Sequence, residues 1–493
     1  MTTLSRRAFL KTGAAALGLS LSARLRAAAW PQPNGANDAV RVAVVGLRSK
    51  GAGHIRHLLT IPGVRIVALC DVDPSILARE VELMKERHID VFATTDARKL
   101  MSRSDIDAVV IATGTYWHAL LTIWACQAGK DVYVEKPVSH TVWEGSMMVR
   151  AAARYQRIVQ AGTQLRSDPG AAEAVQYIKE GHLGKIQWIH TLCYKLRESI
   201  GRKEPWYPDW LDYDLFCGPA PMDPLERNRL HYDWHWMWST GNGDMADLGI
   251  HVLDFARRFG RRDLMPRRSL SLGGRFGVDD VGETPNTQVA VFDCDEIPIF
   301  YESRGLPAKP GVKYVDQLYG LREGGVIVQC EGGYYAGFVG GAAYDRNGRK
   351  IRSFQGDNGA GHMANFLTAV RSRRKEDLAA PISTGHESTS ICYYGNISYR
   401  LGRPAAANLD QARQALEGFP PAEKILERMG QHLGTAHVDL TQGGLTLGPW
   451  LQLETAQNDI TRVEGGEDGA LERARFLLRE VSRPPYVIPD PLT

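Results

Sequence analysis

Short apolar, β-branched runs alternate with amphipathic stretches through the first third of the chain, the pattern of buried strands joined by helices. Arg41-Val-Ala-Val-Val45 reads as a buried parallel-type strand, and Gly46 opens the turn that follows. Gly51-Ala-Gly53-His54 leads into a helix with Ile55, Leu58 and Leu59 on one face, and Val64–Cys70 is a second strand ending at Asp71. Asp107–Ala112 gives another strand, His118 opens a helix through Trp124 to Gly129, and Val132–Val134 and Ile158–Gln160 give two more. Strands repeated with helical crossovers are most economically a right-handed parallel sheet. Residues 40–165 are therefore expected to form an α/β domain, after a Pro-, Asn- and Gly-rich linker over residues 30–39.

Beyond residue 165 the pattern changes. Helix Ala171–Glu180 precedes strand-like Ile186–Lys195, Gln288–Phe292, Ile297–Tyr301 and Val326–Gln329, with little helix between them. Long strands of this kind predict an α+β domain over 166–402 with an open, largely antiparallel sheet. Residues 403–493 are polar, with helical stretches at Asp410–Leu416 and Gly469–Val481, and are expected to be a C-terminal tail packed on the domains. A chain of 493 residues is too long for one ordinary core, which agrees with this division.

Composition alters the picture chiefly at the N-terminus. Hydrophobic content of 44% and charged content of 23% are those of a soluble globular protein. No apolar run outside the N-terminus approaches the roughly 18 residues of a membrane span, so no stable membrane anchor is expected. Ser5-Arg6-Arg7-Ala8-Phe9-Leu10-Lys11, the weakly apolar Thr12–Ala23 segment and Ala27-Ala28-Ala29 follow one another in the order of a twin-arginine signal. Residues 1–29 are read as that signal peptide, with the export machinery as a partner and a periplasmic or otherwise exported location. Removing its five cations (Arg6, Arg7, Lys11, Arg24, Arg26) lowers the formal charge from +3 to −2, and nothing points to a nucleic-acid partner. The seven cysteines are scattered without metal-ligand spacing and are expected to be buried free thiols.

Candidate chemistry concentrates in three places. Strand, glycine turn, helix start, strand and terminal acid form the dinucleotide-binding layout, although a purely structural glycine turn has the same outline. Backbone N–H groups near Gly46, Arg48 and Gly51 can receive a pyrophosphate, with Arg48 in place of the middle glycine as a counter-charge. Asp71 can accept from the adenosine ribose and would repel a 2′-phosphate, so NAD is expected before NADP. Asp131-Val-Tyr-Val-Glu-Lys-Pro-Val138 puts Lys136 at the carboxyl end of a strand, as a solvated strand end or a catalytic cation, with Pro137 fixing its direction. In Thr240–Asp254, Asn242 or Asp244 can cap a helix, and Asp247 and His251 become i, i+4 neighbours. That pair is either a surface contact or a carboxylate-supported general base. No second histidine sits at ligand spacing there, so no metal is expected. Trp234, Trp236 and Trp238 alternate as on a strand face, fitting a sugar platform or a core equally, and Tyr194, Lys195 and Arg197 end a strand that can point into the same cleft.

Glu135-Lys136-Pro137, the glycine turn, Trp117-His118, Gly162-Thr163-Gln164 and Asp247-x-x-x-His251 together resemble the Gfo/Idh/MocA family, the glucose–fructose oxidoreductase and inositol dehydrogenase relatives. Asp214-Leu-Phe-Cys-Gly-Pro219, Gly243-Asp244 and Glu283-Thr-Pro285 resemble its exported branch. The resemblance implies a Rossmann domain and an open-sheet domain with the substrate between them. It implies that Lys136 polarises the reacting oxygen and that His251, held by Asp247, takes a hydroxyl proton while hydride passes to the nicotinamide. On that pattern Gly46, Arg48, Gly51, Asp71, Thr113, His118 and Glu135 would hold the cofactor, and Arg166, Tyr194 and Trp236 the substrate. The implied activity is an NAD(P)-dependent oxidoreductase acting on a sugar or polyol hydroxyl. NAD-dependent glycosidases related to it are expected to lack the Glu-Lys-Pro sequence present here. Export would make free nucleotide scarce, so NAD is expected to be tightly bound and reset in place. That keeps open a redox-neutral hydrolase, lyase or epimerase acting on glycosides, and, from another class, a non-catalytic sugar-binding protein. An exposed sheet face would favour a homo-oligomer.

Overall fold

The computed structural model describes residues 39–295, 297–309 and 311–491, so the expected signal peptide and nearly all of the 30–39 linker lie outside the described residues. The first sheet comprises β1 (Val40–Val45), β2 (Val64–Cys70), β3 (Phe92–Thr94), β4 (Ala108–Ile111), β5 (Asp131–Glu135) and β6 (Val159–Gly162). Its order is β3-β2-β1-β4-β5-β6, and every pair is parallel. β4 and β5 are buried along their whole length, as apolar runs covered by helices on both faces must be. Strand order reverses at β1 and β4, and in open sheets that is where the carboxyl ends leave a ligand crevice.

The second sheet has twelve strands: β7 (Ile186–Tyr194), β8 (Arg268–Gly274), β9 (Thr287–Asp293), β10 (Ile299–Arg304), β11 (Gly324–Cys330), β12 (Gly333–Gly337), β13 (Gly340–Asp345), β14 (Lys350–Gln355), β15 (Arg403–Ala407), β16 (Leu445–Leu447), β17 (Trp450–Glu454) and β18 (Asp459–Glu464). β7 and β10 pair in parallel, and the other pairs are antiparallel, so the sheet is mixed and largely antiparallel as expected. Residues 403–493 differ from the expected tail. β16 and β17 both pair with β8 and lengthen the sheet. Leu451 and Leu453 point inward from β17 between polar neighbours, a period-two signal within an otherwise polar segment. Helix Pro420–Thr435 buries Ile425, Leu426, Met429 and Leu433 in the cluster that holds Leu270, Leu272, Val289 and Phe300 of the sheet.

Helix Ile382–Leu401 runs through the interior and is buried on nearly every side. Thr389 Oγ1 accepts the Val138 N–H at 3.2 Å, and the Tyr393 hydroxyl donates to the Ser139 carbonyl. Ser388 donates to Asp254 at 2.5 Å. One helix thus holds both the segment leaving β5 and the helix that carries His251. All seven cysteines are free and buried.

Candidate active site

The carboxyl ends of β1, β2, β4 and β5 open onto a cavity of about 900 Å³. Its floor at one end is the glycine turn. Gly46 has φ +81°, and a Cβ there would lie 2.5 Å from the Ala112 carbonyl oxygen. A Cβ on Gly51 would lie 1.7 Å from the Gly46 oxygen, so both positions require glycine. Helix Ser49–Leu58 starts there with no side chain capping its first turn, which leaves amide donors for a ligand phosphate. Exposed Arg48 precedes it on the cavity wall. Asp71 ends β2 on the same wall, its carboxylate oriented by the Leu47 N–H at 2.7 Å and the Asp73 N–H at 3.0 Å. Burial raises the Asp71 carboxyl above its ordinary value against the pull of those two amides. A glycine cradle, an uncapped helix start and an oriented carboxylate fit a dinucleotide.

At the other end, Lys136 leaves β5 through a cis Lys136–Pro137 peptide. Its ammonium donates to the Asp247 carbonyl at 2.7 Å and to Asp247 Oδ1 at 2.9 Å. An ammonium has three N–H donors, so one remains for a ligand oxygen. Asp247 Oδ2 accepts from Arg197 at 3.2 Å, and Arg197 also grips Asp244 through Nε at 2.8 Å and donates to the Tyr232 hydroxyl at 3.1 Å. Burial pushes the Asp247 carboxyl upward, but the charges of Lys136, His235 and Arg197 hold it well below the carboxylate range. Glu135 does not hold the lysine side chain. Its Oε1 meets His54 at 2.8 Å and Gln164 at 3.0 Å, and despite burial the His54 contact and nearby lysines lower its pKa to about 2. Gly162 makes room for it, since a Cβ there would lie 2.8 Å from the Glu135 carboxyl carbon.

His251 lines the same cavity, but its ring has no hydrogen-bond partner among the described residues. The expected single helix is two short ones, Gly243–Asp247 and Gly249–Arg257; no side chain caps the first, since Asn242 at its N-cap donates its amide to the His140 carbonyl and Asp244 lies within the helix, held by Arg197. Asp247 is turned to Lys136 and Arg197 and makes no hydrogen bond to His251, contrary to the expectation from spacing. Burial first, and the Lys136 charge second, lower the His251 pKa to about 3, outweighing the Glu135 and Asp247 charges, which raise the basicity of the imidazole. The imidazole is therefore neutral at neutral pH. Its folded pKa lies below the ordinary 6.5, so stability is full above that value and is lost as pH falls toward 3. The kcat/KM profile is expected to be flat between about pH 5 and 8 as far as His251 is concerned. An inflection in that window that disappears in His251→Asn would contradict this.

Four further assignments change. His118 lines the cavity but is buried, with Nδ1 2.7 Å from the Pro137 carbonyl and Nε2 3.2 Å from that of Thr113, so both ring nitrogens are turned to backbone at the two strand exits. Thr113 itself lies on the cavity wall. Arg166 lies away from the cavity, paired with Asp254 at 2.8 Å and Asp263 at 2.7 Å behind the His251 helix. Tyr194 falls on the opposite face of β7 by strand alternation, and its hydroxyl donates to Glu302 at 2.7 Å. Trp236 is buried with Arg197 5.0 Å over its ring, below the cavity wall. The segment expected to alternate as a strand is a 3-10 turn, Asp233–Trp236, which sends the three tryptophans in different directions. Trp234 alone of them lines the cavity, stacked on His235 at 3.7 Å. His235 is a site residue not assigned from the sequence, and Arg197, expected to point toward the cleft, reaches it through Asp247.

Residues 40–163 match the family described as "Oxidoreductase family, NAD-binding Rossmann fold", and residues 188–269 match its "C-terminal alpha/beta domain". Over these two stretches the chain is similar to the two domains of the Gfo/Idh/MocA oxidoreductases. Its first domain is accordingly an NAD-binding Rossmann domain. A glycosyl hydrolase family 109 protein of Shewanella pealeana is 29% identical over 232 residues, 42% of this chain and 51% of its own length. The chain thus spans about half the length of the curated relatives it matches. Two solved structures share the fold of this chain. The WlbA dehydrogenase from Bordetella pertussis, in complex with NADH and UDP-GlcNAcA, superposes with TM-score 0.54 at 16% identity over 73% of this chain and 97% of its own. Levoglucosan dehydrogenase in complex with NADH gives TM-score 0.54 at 16% identity over 72% and 96%.

Proposed function

We propose that the protein exchanges a hydride between NAD and a hydroxyl-bearing carbon of a sugar or polyol. The observation that carries this reading is Lys136, anchored twice by Asp247 with one N–H left over, beside a neutral, unpartnered His251 in one cavity. Bound in that cavity, NAD supplies the hydride acceptor. The Lys136 N–H donates to the substrate oxygen and stabilises the charge that develops as its C–H bond breaks. The proton of that hydroxyl passes to a His251 nitrogen, and the product carries a carbonyl at the reacting carbon. Trp234, stacked on His235, offers a flat apolar wall suited to sugar C–H faces.

A second reading has specific support from the relatives named as glycosyl hydrolase family 109 proteins. On it, the same oxidation is transient: the carbonyl allows a neighbouring bond to break, and the hydride then returns. The twin-arginine pattern at Ser5–Lys11 supports export with NAD already in place, and a cofactor that stays must regain its starting state within each cycle. Incubating the NAD-loaded protein with free sugars, polyols and glycosides, and identifying products by mass spectrometry, separates the readings. A keto-sugar with stoichiometric NADH supports net oxidation, and free sugar with NAD unchanged supports the neutral route. Carbohydrate binding without either product would overturn both.

A further inference from the structure

The chain between β7 and helix Gly243–Asp247 leaves the second sheet and crosses to the adenosine side of the cleft. Trp206 and Leu225 pair across it as an antiparallel bridge, and Phe216, Cys217, Leu225 and Leu230 form a buried cluster that takes in Val72. Val72 directly follows Asp71, the carboxylate that would accept from the adenosine ribose of a bound NAD. Two independent ties fix the middle of this excursion to the Rossmann domain, apart from the His140 contacts with Trp238 and Asn242 at its C-terminal end. His231 Nε2 lies 2.9 Å from Asp73 Oδ2, one residue beyond Val72. The Trp117 indole N–H donates to the Leu215 carbonyl at 3.1 Å, and a Cβ on Gly218 would collide with the Trp117 ring. The C-terminal segment seals the second tie, with Tyr486 donating to Asp214 at 2.5 Å and packing 5.3 Å from Trp117. Phe216, Leu230 and His231 line the same cavity as Asp71, Val72 and Arg98.

We propose that residues 195–242 form an outer wall over the adenosine half of the NAD site, and that the His231–Asp73 pair is the latch that limits nucleotide exchange. The inference rests on the NAD-binding reading above. His231 is a positioning residue in this account: it touches Asp73, and through it holds the wall closed. Asp73 also accepts from Ser75 N–H at 2.9 Å as the cap of helix Pro74–Glu86, so the histidine is the cleaner partner to remove. His231 is partly exposed and has one polar side-chain contact, to Asp73, and one edge contact with the Phe216 ring, so it can be truncated without opening the core.

The full chain, loaded with NAD, is chased with an excess of a fluorescent NAD analogue, and nucleotide release is followed in wild type, His231→Ala and His231→Gln. His231→Ala is expected to release NAD roughly tenfold to a hundredfold faster, the loss of one hydrogen bond to a charged group. His231→Gln, which can still donate to Asp73, should recover most of the wild-type rate. As a second measurement, NAD should protect residues 195–242 from limited proteolysis in wild type and not in His231→Ala. Equal release rates in wild type and His231→Ala, with both proteins folded by circular dichroism, would overturn the latch while leaving NAD binding intact. Failure of the wild type to bind NAD at all would instead overturn the reading on which the latch rests.

Discussion

Lys136→Met is expected to lower kcat by roughly two to four orders of magnitude while the protein still folds and still binds NAD. Methionine replaces the lysine stem at similar volume, so the packing at the end of β5 survives. Asp247 keeps its Arg197 contact, and no buried carboxylate is left wholly without a cation. What disappears is the N–H that remains after two bonds to Asp247, and with it the donor to the reacting oxygen. Single-turnover kinetics on NAD-loaded protein measure the effect directly. A rate equal to wild type would remove Lys136 from the chemistry.

Asp247→Asn is expected to be costly in two ways. The amide keeps an acceptor for Lys136 but turns an N–H₂ group towards Arg197, which is itself only a donor. Arg197 then keeps Asp244, whereas the ion pair of Lys136 with Asp247 is lost. Breaking a buried ion pair by removing one partner costs about 3–5 kcal/mol, and Asp247 serves two cations at once. Denaturant unfolding should show a loss of that order, and kcat should fall at least as far as in Lys136→Met because the lysine loses its anchor. A stable variant with a normal rate would show that the Lys136–Asp247 contact positions nothing.

The parallel sheet was legible because its strands are short apolar runs punctuated by glycine and acid, and each predicted strand has its counterpart. β3 was not, since Phe92–Thr94 is three residues long and pairs only at the sheet edge. Helix Ile382–Leu401 was invisible for a physical reason. It is buried on nearly all sides by small and hydroxyl residues, so it shows no apolar stripe for a period of 3.6 to reveal. Lys136, Asp247 and His251 do meet in one cavity, but the partnerships within the group were misread from spacing. Two residues at i, i+4 can face each other, yet Asp247 is drawn to two cations from distant segments, 111 and 50 residues away in sequence. Arg166, Tyr194 and Trp236 failed as site residues because polar and aromatic side chains serve buried networks as readily as ligands. For Tyr194 the decision was the parity of a single strand position.

The fate of the bound nicotinamide tests hydride exchange most directly. Protein loaded with NAD should be mixed rapidly with carbohydrate that it turns over, and the near-ultraviolet absorbance of reduced nicotinamide followed through one turnover. The prediction is a rise in that absorbance within the first turnover, slowed by deuterium at the reacting carbon, lasting in net oxidation and transient in the redox-neutral route. Turnover with no reduced nicotinamide at any time and no isotope effect would contradict hydride exchange at Lys136 and His251.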